Sequence, residues 1–401
     1  RGKKAAEWTP AEVKRLQDWW FENEFQGARQ IVHGVRAEKL ALEARRKALE
    51  DTIPASFIMA DLPEPRESFV MVRGQYDKPG EKVGRTTPAV FPPLPRKEGQ
   101  PTRLDLANWL VSPEHPLTAR VQVNRLWQQF FGTGLVKTSN DFGSQGEPPS
   151  HPELLDWLAV TFRESGWDMK ALVKLLVTSH TYRQASQFSP QGAQMDPENR
   201  LLSRGPRFRL DAEVVRDSAL FVSGLLSPKM GGKGVKPYQP ENIWEPVGFG
   251  GSNTRNYIQD KGESLYRRSL YTFWKRTAPP PAMTTFDAPN RESYCLRRER
   301  SNTPLQALNL MNDVQYFEAS RNFAQHLLKA QGTTDSRITA GFRAVTSRHP
   351  SAQEAEIIRS ALEQHLAAFR ARPESARQAI TYGESKPDEK LEAAELAAWT
   401  M

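Results

Sequence analysis

A segment of about 75 residues in the middle of the chain, 227–302, constrains the fold more than any other part of the sequence. It carries glycine, proline and aromatic residues throughout, and its one apolar stretch is Ser269-Leu-Tyr-Thr-Phe-Trp274. No helical or alternating pattern lasts long enough to pair its backbone N–H and C=O groups internally. Loops of this length in a compact chain are usually functional or disordered, and the aromatic content favours order. We therefore expect a long ordered loop segment whose carbonyl groups need hydrogen-bond donors from other parts of the chain.

Helical patterns flank this segment on both sides. The spacing of apolar residues predicts five regions: an N-terminal helical segment over 1–60, an extended linker or loop region over 61–102, a helical core block over 103–226, the basic loop-rich segment 227–302 and a C-terminal helical block over 303–401. Residues 103–401 are expected to form one compact domain. The expected fold class is mainly α, with helical blocks flanking a long, ordered, arginine-rich loop segment and a few short strands.

Four local patterns predict where elements begin and end. Gly132 follows an apolar helical pattern and is expected to be its C-cap. Ser150, followed three residues later by Glu153, has the spacing of a capping box and predicts a helix start. Residues 68–73 predict a strand, whereas 74–100, with five Pro and four Gly among charged residues, predict a loop without regular structure.

Several classes of protein are excluded by what the sequence lacks. Its single cysteine, Cys295, cannot form an internal disulfide, a four-cysteine zinc site or a Cys-x-x-Cys-His haem attachment. The motifs of dinucleotide-binding proteins, P-loop NTPases, serine hydrolases and zincins are missing, and no metal site is predicted. No run approaches the roughly 20 apolar residues of a membrane-spanning helix. Because the chain starts at Arg1 with neither an initiator Met nor an apolar stretch, we expect it to be a piece of a longer protein.

The net charge of +8 is concentrated in one region. Between Arg200 and Arg300 there are 18 Lys and Arg against 10 Asp and Glu, so the rest of the chain is balanced. Arginine outnumbers lysine by 36 to 19, and its planar fork suits carboxylate, phosphate, sulfate or backbone carbonyl groups. Two interpretations stay open: the arginines bind an anionic, planar or sugar-like ligand, or they hold the loops together by bonding backbone carbonyls. Nucleic acid is not expected, because the excess is modest and no binding module is recognised.

The candidate ligand-binding residues are charged and aromatic side chains of this region. They are Arg204, Arg207, Arg209, Arg267, Arg268, Tyr271, Trp274, Arg276 and Asp287. Whether the protein is an enzyme stays open; if it is, Asp141 and His151 are the candidate acid/base pair. Asp141 has a structural alternative as a cap of backbone amides, and His151 as a helix-entry residue bonded to the preceding loop. No role is assigned to Cys295.

A series of separated motifs resembles a known family. The motifs include Asn124-Arg-Leu-Trp127, Asp141-Phe-Gly143, His151-Pro-Glu-Leu-Leu-Asp-Trp-Leu158, Arg267-Arg-Ser-Leu-Tyr271 and Thr303-Pro-Leu-Gln-Ala-Leu308. Over about residues 66–342, the chain resembles the large planctomycete-type domain of unknown function at the C-terminal end of proteins that carry a planctomycete cytochrome c domain. The resemblance implies an exported protein with a c-type haem on a separate upstream domain, and no cofactor in this chain. It implies participation in polysaccharide use or extracytoplasmic electron transfer, and it supplies no established catalytic residues that could be assigned to positions of this chain.

The leading hypothesis combines the arginine pattern with this resemblance. We expect an extracytoplasmic module of a cytochrome-c-linked protein that binds or acts on an anionic ligand, in particular an acidic or sulfated polysaccharide. The alternative is a non-enzymatic scaffold that docks the haem domain or a surface partner.

Overall fold

The computed structural model describes residues 8–53, 55–60, 62, 64, 66–95 and 99–401. These residues belong to two compact units, Arg1–Arg85 and Thr86–Met401. The boundary between the units lies inside the predicted linker region 61–102.

Two helices make up most of the first unit. Helix α1 (Pro10–Asn23) begins with a capping box, in which the Thr9 hydroxyl accepts from the backbone N–H of Glu12 and the Glu12 carboxylate accepts from the backbone N–H of Thr9. Helix α2 (Gln26–Thr52) packs along α1. Reciprocal bonds of this kind satisfy two backbone donors that a helix start otherwise leaves unpaired.

A two-stranded antiparallel hairpin completes the first unit. Strand β1 (Ser68–Met71) pairs with strand β2 (Pro79–Val83). The prediction of a strand at 68–73 is confirmed over β1, whereas the prediction that 74–100 lacks regular structure is wrong over β2. The physical reason is that all five residues of β2 are exposed, so no apolar alternation marks this strand in the sequence.

The second unit is mainly α, which confirms the predicted fold class. Its α-helices are α3 (Arg103–Leu110), α4 (Thr118–Phe131), α5 (Pro152–Glu164), α6 (Met169–Thr178), α7 (His180–Arg183), α8 (Pro190–Met195), α9 (Ala212–Val222), α10 (Pro281–Thr285), α11 (Pro304–Asn312), α12 (Val314–Lys329), α13 (Thr334–Thr346), α14 (Ala352–Ala371), α15 (Pro373–Ala379) and α16 (Ala393–Thr400). Segment 227–302 adds three short 3-10 helices: Glu245–Val247, Gly262–Tyr266 and Ser269–Tyr271. Among the residues that the structure describes, no helix has the length and hydropathy to cross a bilayer.

Two larger apolar clusters lie at the two ends of this unit's sequence. The first joins α4, α5 and α6 through Val123, Trp127, Phe131, Leu135, Val136, Leu155, Leu158, Phe162, Leu172 and Leu176. The second joins α12, α15 and α16 through Ala324, Leu328, Ala376, Ile380, Ala394, Leu396 and Ala397. Burying one Leu or Phe side chain contributes about 1.5–3 kcal/mol, so each cluster is a substantial source of stability.

Segment 227–302 is tied to these helices by a buried arginine of α9. Arg216 is 2% exposed, and its guanidinium donates to the carbonyls of Leu265 (2.7 Å) and Arg267 (2.8 Å). Its Nε donates to the side-chain oxygen of Gln315 on α12 at 2.6 Å. One side chain therefore supplies donors to loop carbonyls and to a second helix at once.

The ends of α4 and α5 test two of the predicted caps. Gly132 is confirmed as the C-cap of α4: its φ is +83°, and an added Cβ would lie 2.8 Å from the Phe208 ring. The prediction that Ser150 caps α5 is wrong, because His151 is the N-cap residue and makes no capping bond. The Ser150 hydroxyl instead lies 3.0 Å from Nδ1 of His151.

His115 caps the start of α4 with its ring. Its Nδ1 accepts from the backbone N–H groups of Leu117 (3.3 Å) and Thr118 (3.2 Å). The ring packs edge-on against Trp109, with 4.4 Å between centroids, and burial lowers the pKa of His115. Since a protonated Nδ1 could not accept these bonds, the fold holds the neutral imidazole.

We expect the free energy of unfolding to decrease as the pH falls from 7 to 5. The unfolded chain binds a proton at His115 with an ordinary pKa of about 6.5, whereas the folded chain resists protonation, so acid favours unfolding. His115→Asn keeps a cap acceptor that does not titrate and should reduce this pH dependence. Urea unfolding at pH 5, 6 and 7 measures the free energy of unfolding of each variant and its pH dependence. His349→Asn, at an exposed histidine, should keep the wild-type dependence, and an equal dependence in both variants would contradict the assignment.

Candidate functional site

A cleft of about 330 Å³ lies where the end of α4 meets the loop after α8. Its lining contains four arginines, which is why we call it the arginine cleft. The lining residues are Trp127, residues 131–135, Ser150, Phe188, residues 197–200, Leu202, residues 204–208 and Arg300. The cleft combines aromatic side chains, helix-end carbonyls and guanidinium groups.

Two of these arginines are positioned by the carbonyls that follow α4. Arg200 donates through both terminal nitrogens, to the carbonyls of Gly134 (2.8 Å) and Leu135 (3.0 Å). Arg300 donates to the carbonyl of Gly132 at 3.0 Å, and its guanidinium stacks 4.5 Å from the centre of the Phe208 ring. The carbonyls of the turn at 132–135 have no partners within α4, and arginine forks bond them here; the Leu135 carbonyl also accepts from the backbone N–H of Ser150 at 2.9 Å.

The other two arginines differ in how far they are fixed. Arg204 donates to the carbonyls of Asp196 (3.2 Å) and Pro197 (3.0 Å), and its guanidinium lies 5.5 Å from the centre of the Phe188 ring. Arg207 is exposed and has no hydrogen-bond or ion-pair partner in the part of the chain that the structure describes. Arg207 is thus able to turn its whole fork toward a ligand.

The cleft keeps a positive charge despite these contacts. Its one acidic lining residue is Glu198, whose carboxylate lies 2.9 Å from Nζ of Lys137. The hydrogen bond and charge of Lys137 lower the pKa of Glu198, so this carboxylate is ionised and already paired. Backbone carbonyls carry only partial charges and do not neutralise the guanidinium groups of Arg200 and Arg204. Arg300, in contrast, has the carboxylate of Asp211 3.8 Å from its Nε. The balance favours an anion.

Arg209 and Asp287, both predicted ligand-binding residues, pair with each other away from the cleft lining. Although burial raises the pKa of Asp287, hydrogen bonds from the backbone and hydroxyl of Ser301 and the charge of Arg209 lower it overall. Arg209 also donates to the Ser301 carbonyl at 2.9 Å. This group joins the loop after α10 to the segment before α9.

Arg267 and Tyr271 are likewise engaged with the chain itself. The buried Arg267 donates to the carbonyls of Lys233 (3.0 Å) and Lys229 (3.2 Å), and its guanidinium stacks 3.8 Å from the centre of the Tyr271 ring. The hydroxyl of Tyr271 accepts from the backbone N–H of Gly231 at 2.6 Å. Both residues hold the 229–233 turn.

The last three predicted ligand-binding residues lie outside the arginine cleft as well. Arg268 lies 3.6 Å from the carboxylate of Asp217, and Arg276 lies 3.9 Å from that of Glu292. The guanidinium of Arg291 lies 4.2 Å from the centre of the Trp274 ring. Of the nine predicted residues, the cleft therefore brings together Arg204 and Arg207. A ligand contact of the others stays a prediction.

Asp141 and His151 form no hydrogen bond with each other. Asp141 accepts from the backbone N–H of Gly143 at 2.8 Å, and Nδ1 of His151 lies 3.0 Å from the Ser150 hydroxyl. Because Ser150 lines the arginine cleft, His151 is one residue from it, whereas Asp141 is not among the lining residues. The expected acid/base pair is not assembled, and a catalytic role of either residue stays a prediction.

Arg200 and Arg300 are the cleft residues that the sequence did not assign to a ligand. Both lie within the basic region 200–300. Arg200 is 66 residues from Gly134 in the sequence, and Arg300 is 168 residues from Gly132. The available signal was Gly132-Thr-Gly134 directly after a helix, which leaves backbone carbonyls that need donors. Nothing in that signal identifies which arginines supply them.

The comparison with family models finds a match over most of the second unit. The model of PSD1, a protein of unknown function (DUF1553), matches residues 102–362. This range contains the four arginines of the cleft and both predicted catalytic residues. No curated protein and no solved structure is significantly similar to the chain.

Arg200 and Arg207 offer a matched test of fixed and free arginines. Arg200→Met removes the donors of two carbonyls and should lower the free energy of unfolding by about 1–3 kcal/mol. Arg207→Met removes an exposed side chain without a partner and should change it by less than about 0.5 kcal/mol. Urea unfolding of both variants measures the difference. Equal losses would contradict the distinction between the two arginines.

Proposed function

The chain belongs to the PSD1 family of unknown function (DUF1553), and we propose that its second unit binds an anionic ligand, in particular an acidic or sulfated polysaccharide, in the arginine cleft. The observation that carries this proposal is the charge of the cleft. Four arginines line about 330 Å³, and the one carboxylate in the lining is paired with Lys137. Only Arg300 among the four has a carboxylate within ion-pair distance, that of Asp211 at 3.8 Å, in the part of the chain that the structure describes.

The geometry of arginine favours sulfate or carboxylate as the bound group. A guanidinium fork donates two parallel hydrogen bonds to such a group, and these charge-assisted bonds are stronger than neutral ones. Carbonyl contacts hold Arg200 and Arg204 in place before a ligand arrives, so less side-chain freedom is lost on binding. Arg207 is exposed and has no partner among the described residues, so it can bind an anion without first breaking a hydrogen bond within the protein.

The wider setting of this module rests on the motif resemblance alone. We propose that the module works outside the cytoplasm, beside a cytochrome c domain of the same protein whose c-type haem lies upstream. In that setting the arginine cleft would hold a polymeric anion close to the haem domain.

A non-enzymatic scaffold is the second candidate. The observation that favours it is the internal use of the predicted ligand arginines: Arg209 and Arg267 bond this chain's own carbonyls, and Arg268 lies beside a carboxylate. Such a scaffold would dock the haem domain or a surface partner, and it would have no need of a free arginine in the cleft.

Dextran sulfate and neutral dextran distinguish the two candidates. We expect the chain to bind dextran sulfate and not dextran, with an affinity that falls between 0.1 and 1 M salt as the Debye length shortens from about 10 to 3 Å. Arg207→Gln should weaken binding by about tenfold, and Arg207→Glu by more, because a lost charge-assisted bond is worth about 1.5 kcal/mol or more. Titration calorimetry measures these affinities.

The control variant is Arg370→Gln, at an exposed arginine outside the cleft. It should bind dextran sulfate with the wild-type affinity. Equal loss in the Arg207 and Arg370 variants would mean that the ligand senses net charge and not the cleft. No binding by the wild type at low salt would leave the scaffold as the better account.

A further inference from the structure

A second and smaller cavity lies in the same unit and shares no lining residue with the arginine cleft. Its volume is about 100 Å³, enough for roughly three water molecules. We call it the polar cavity. It is lined by Arg216, residues 237–240, Thr272, residues 280–283, Asn309, Asp313 and Gln315.

Three lining residues of the polar cavity carry buried polar atoms without partners. The atoms are Nε2 and Oε1 of Gln239, Oγ1 of Thr272 and Nδ2 of Asn309; none has a hydrogen bond to any residue that the structure describes. Thr272 as a whole is 6% exposed. Buried polar groups in proteins are almost always hydrogen-bonded. Since all three residues line one cavity, their partner is expected inside it.

The charged lining residues are already engaged. The guanidinium of Arg216 donates to two backbone carbonyls and to Gln315, which uses all three of its nitrogens. Asp313 accepts from the backbone N–H of Gln315 at 3.0 Å, and burial raises the pKa of this carboxyl. The carboxylate of Asp217 lies 3.8 Å from the guanidinium of Arg216 and, with that of Asp313, balances its charge. An anionic ligand would therefore find no excess positive charge in this lining, and a cationic ligand would face Arg216.

The unpaired atoms also define the ligand by its donors and acceptors. The amide nitrogens of Gln239 and Asn309 can donate, the amide oxygen of Gln239 accepts, and the Thr272 hydroxyl does either. Among these unpaired atoms, donors therefore outnumber acceptors. A ligand hydroxyl, which accepts two hydrogen bonds and donates one, matches that ratio, whereas a carboxylate or phosphate would leave the Gln239 oxygen unpaired.

We propose that the polar cavity binds hydroxyl groups of a small uncharged polyol, or of the polyol edge of a larger molecule, through Gln239, Thr272 and Asn309. Proline rings at 237, 240, 280 and 281 and the buried Met283 supply apolar contacts for the carbon atoms. This proposal does not rest on the proposed function, because the two sites have no residue in common.

Ethylene glycol and glycerol are the probes, and the side-chain amide NMR signals of Gln239 and Asn309 are the readout. We expect both signals to shift saturably with either polyol, while the signal of the exposed Gln364 does not. Thr272→Val keeps the shape of the side chain without its hydroxyl and should weaken binding about three- to tenfold. Thr272→Ser restores the hydroxyl and should bind nearly as the wild type does. Thr178→Val, at an exposed threonine, is the matched control.

Three outcomes would overturn the proposal. Linear, unsaturated shifts equal to those of Gln364 would mean a general solvent effect. Equal affinities of the wild type and Thr272→Val would remove the hydroxyl contact. Saturable binding of acetate or ammonium in place of the polyols would assign the cavity to a charged ligand.

Discussion

Buried arginines supply the hydrogen bonds that helices and sheets would otherwise provide in the loop-built part of the second unit. Arg216, on α9, donates to the carbonyls of Leu265 and Arg267, and Arg267 in turn donates to the carbonyls of Lys229 and Lys233. The contacts form a series in which one arginine fixes the backbone of the next. An unpaired buried carbonyl costs about 1–3 kcal/mol, so the ordered loops depend on this series.

The arginine cleft arises from the same physical device at the end of α4. Arg200 and Arg300 satisfy carbonyls of the turn at 132–135, as Arg216 does for the loops. The difference is that these guanidinium groups face a cleft of about 330 Å³ and not a closed interior. Because a carbonyl orients an arginine without neutralising it, a residue that stabilises the fold also contributes charge to a site. Structural and ligand-binding arginines thus make the same hydrogen bonds to backbone carbonyls, in a closed interior in one case and beside an open cleft in the other.

The sequence identifies features that depend on neighbouring residues and misses those that depend on distant ones. The sequence predicts Gly132 as a cap because a helix pattern ends beside it. It gives no sign of β2, because the residues of β2 are all exposed and only the pairing with β1 makes them a strand. For the site, Arg204 and Arg207 lie in one short stretch and were predicted. Arg300 reaches Gly132 across 168 residues, and no local periodicity records such a contact.

The arginine cleft and the polar cavity differ in charge, and this limits what each can bind. Burying an anion without a paired cation is strongly unfavourable, so the polar cavity, where Asp217 and Asp313 balance the charge of Arg216, disfavours sulfate and carboxylate. The arginine cleft gains most from these same groups and little from a neutral hydroxyl. An acidic or sulfated sugar carries both kinds of group, but a small uncharged polyol addresses only the polar cavity. Dextran sulfate and glycerol therefore report on different sites, and failure of one proposal leaves the other intact.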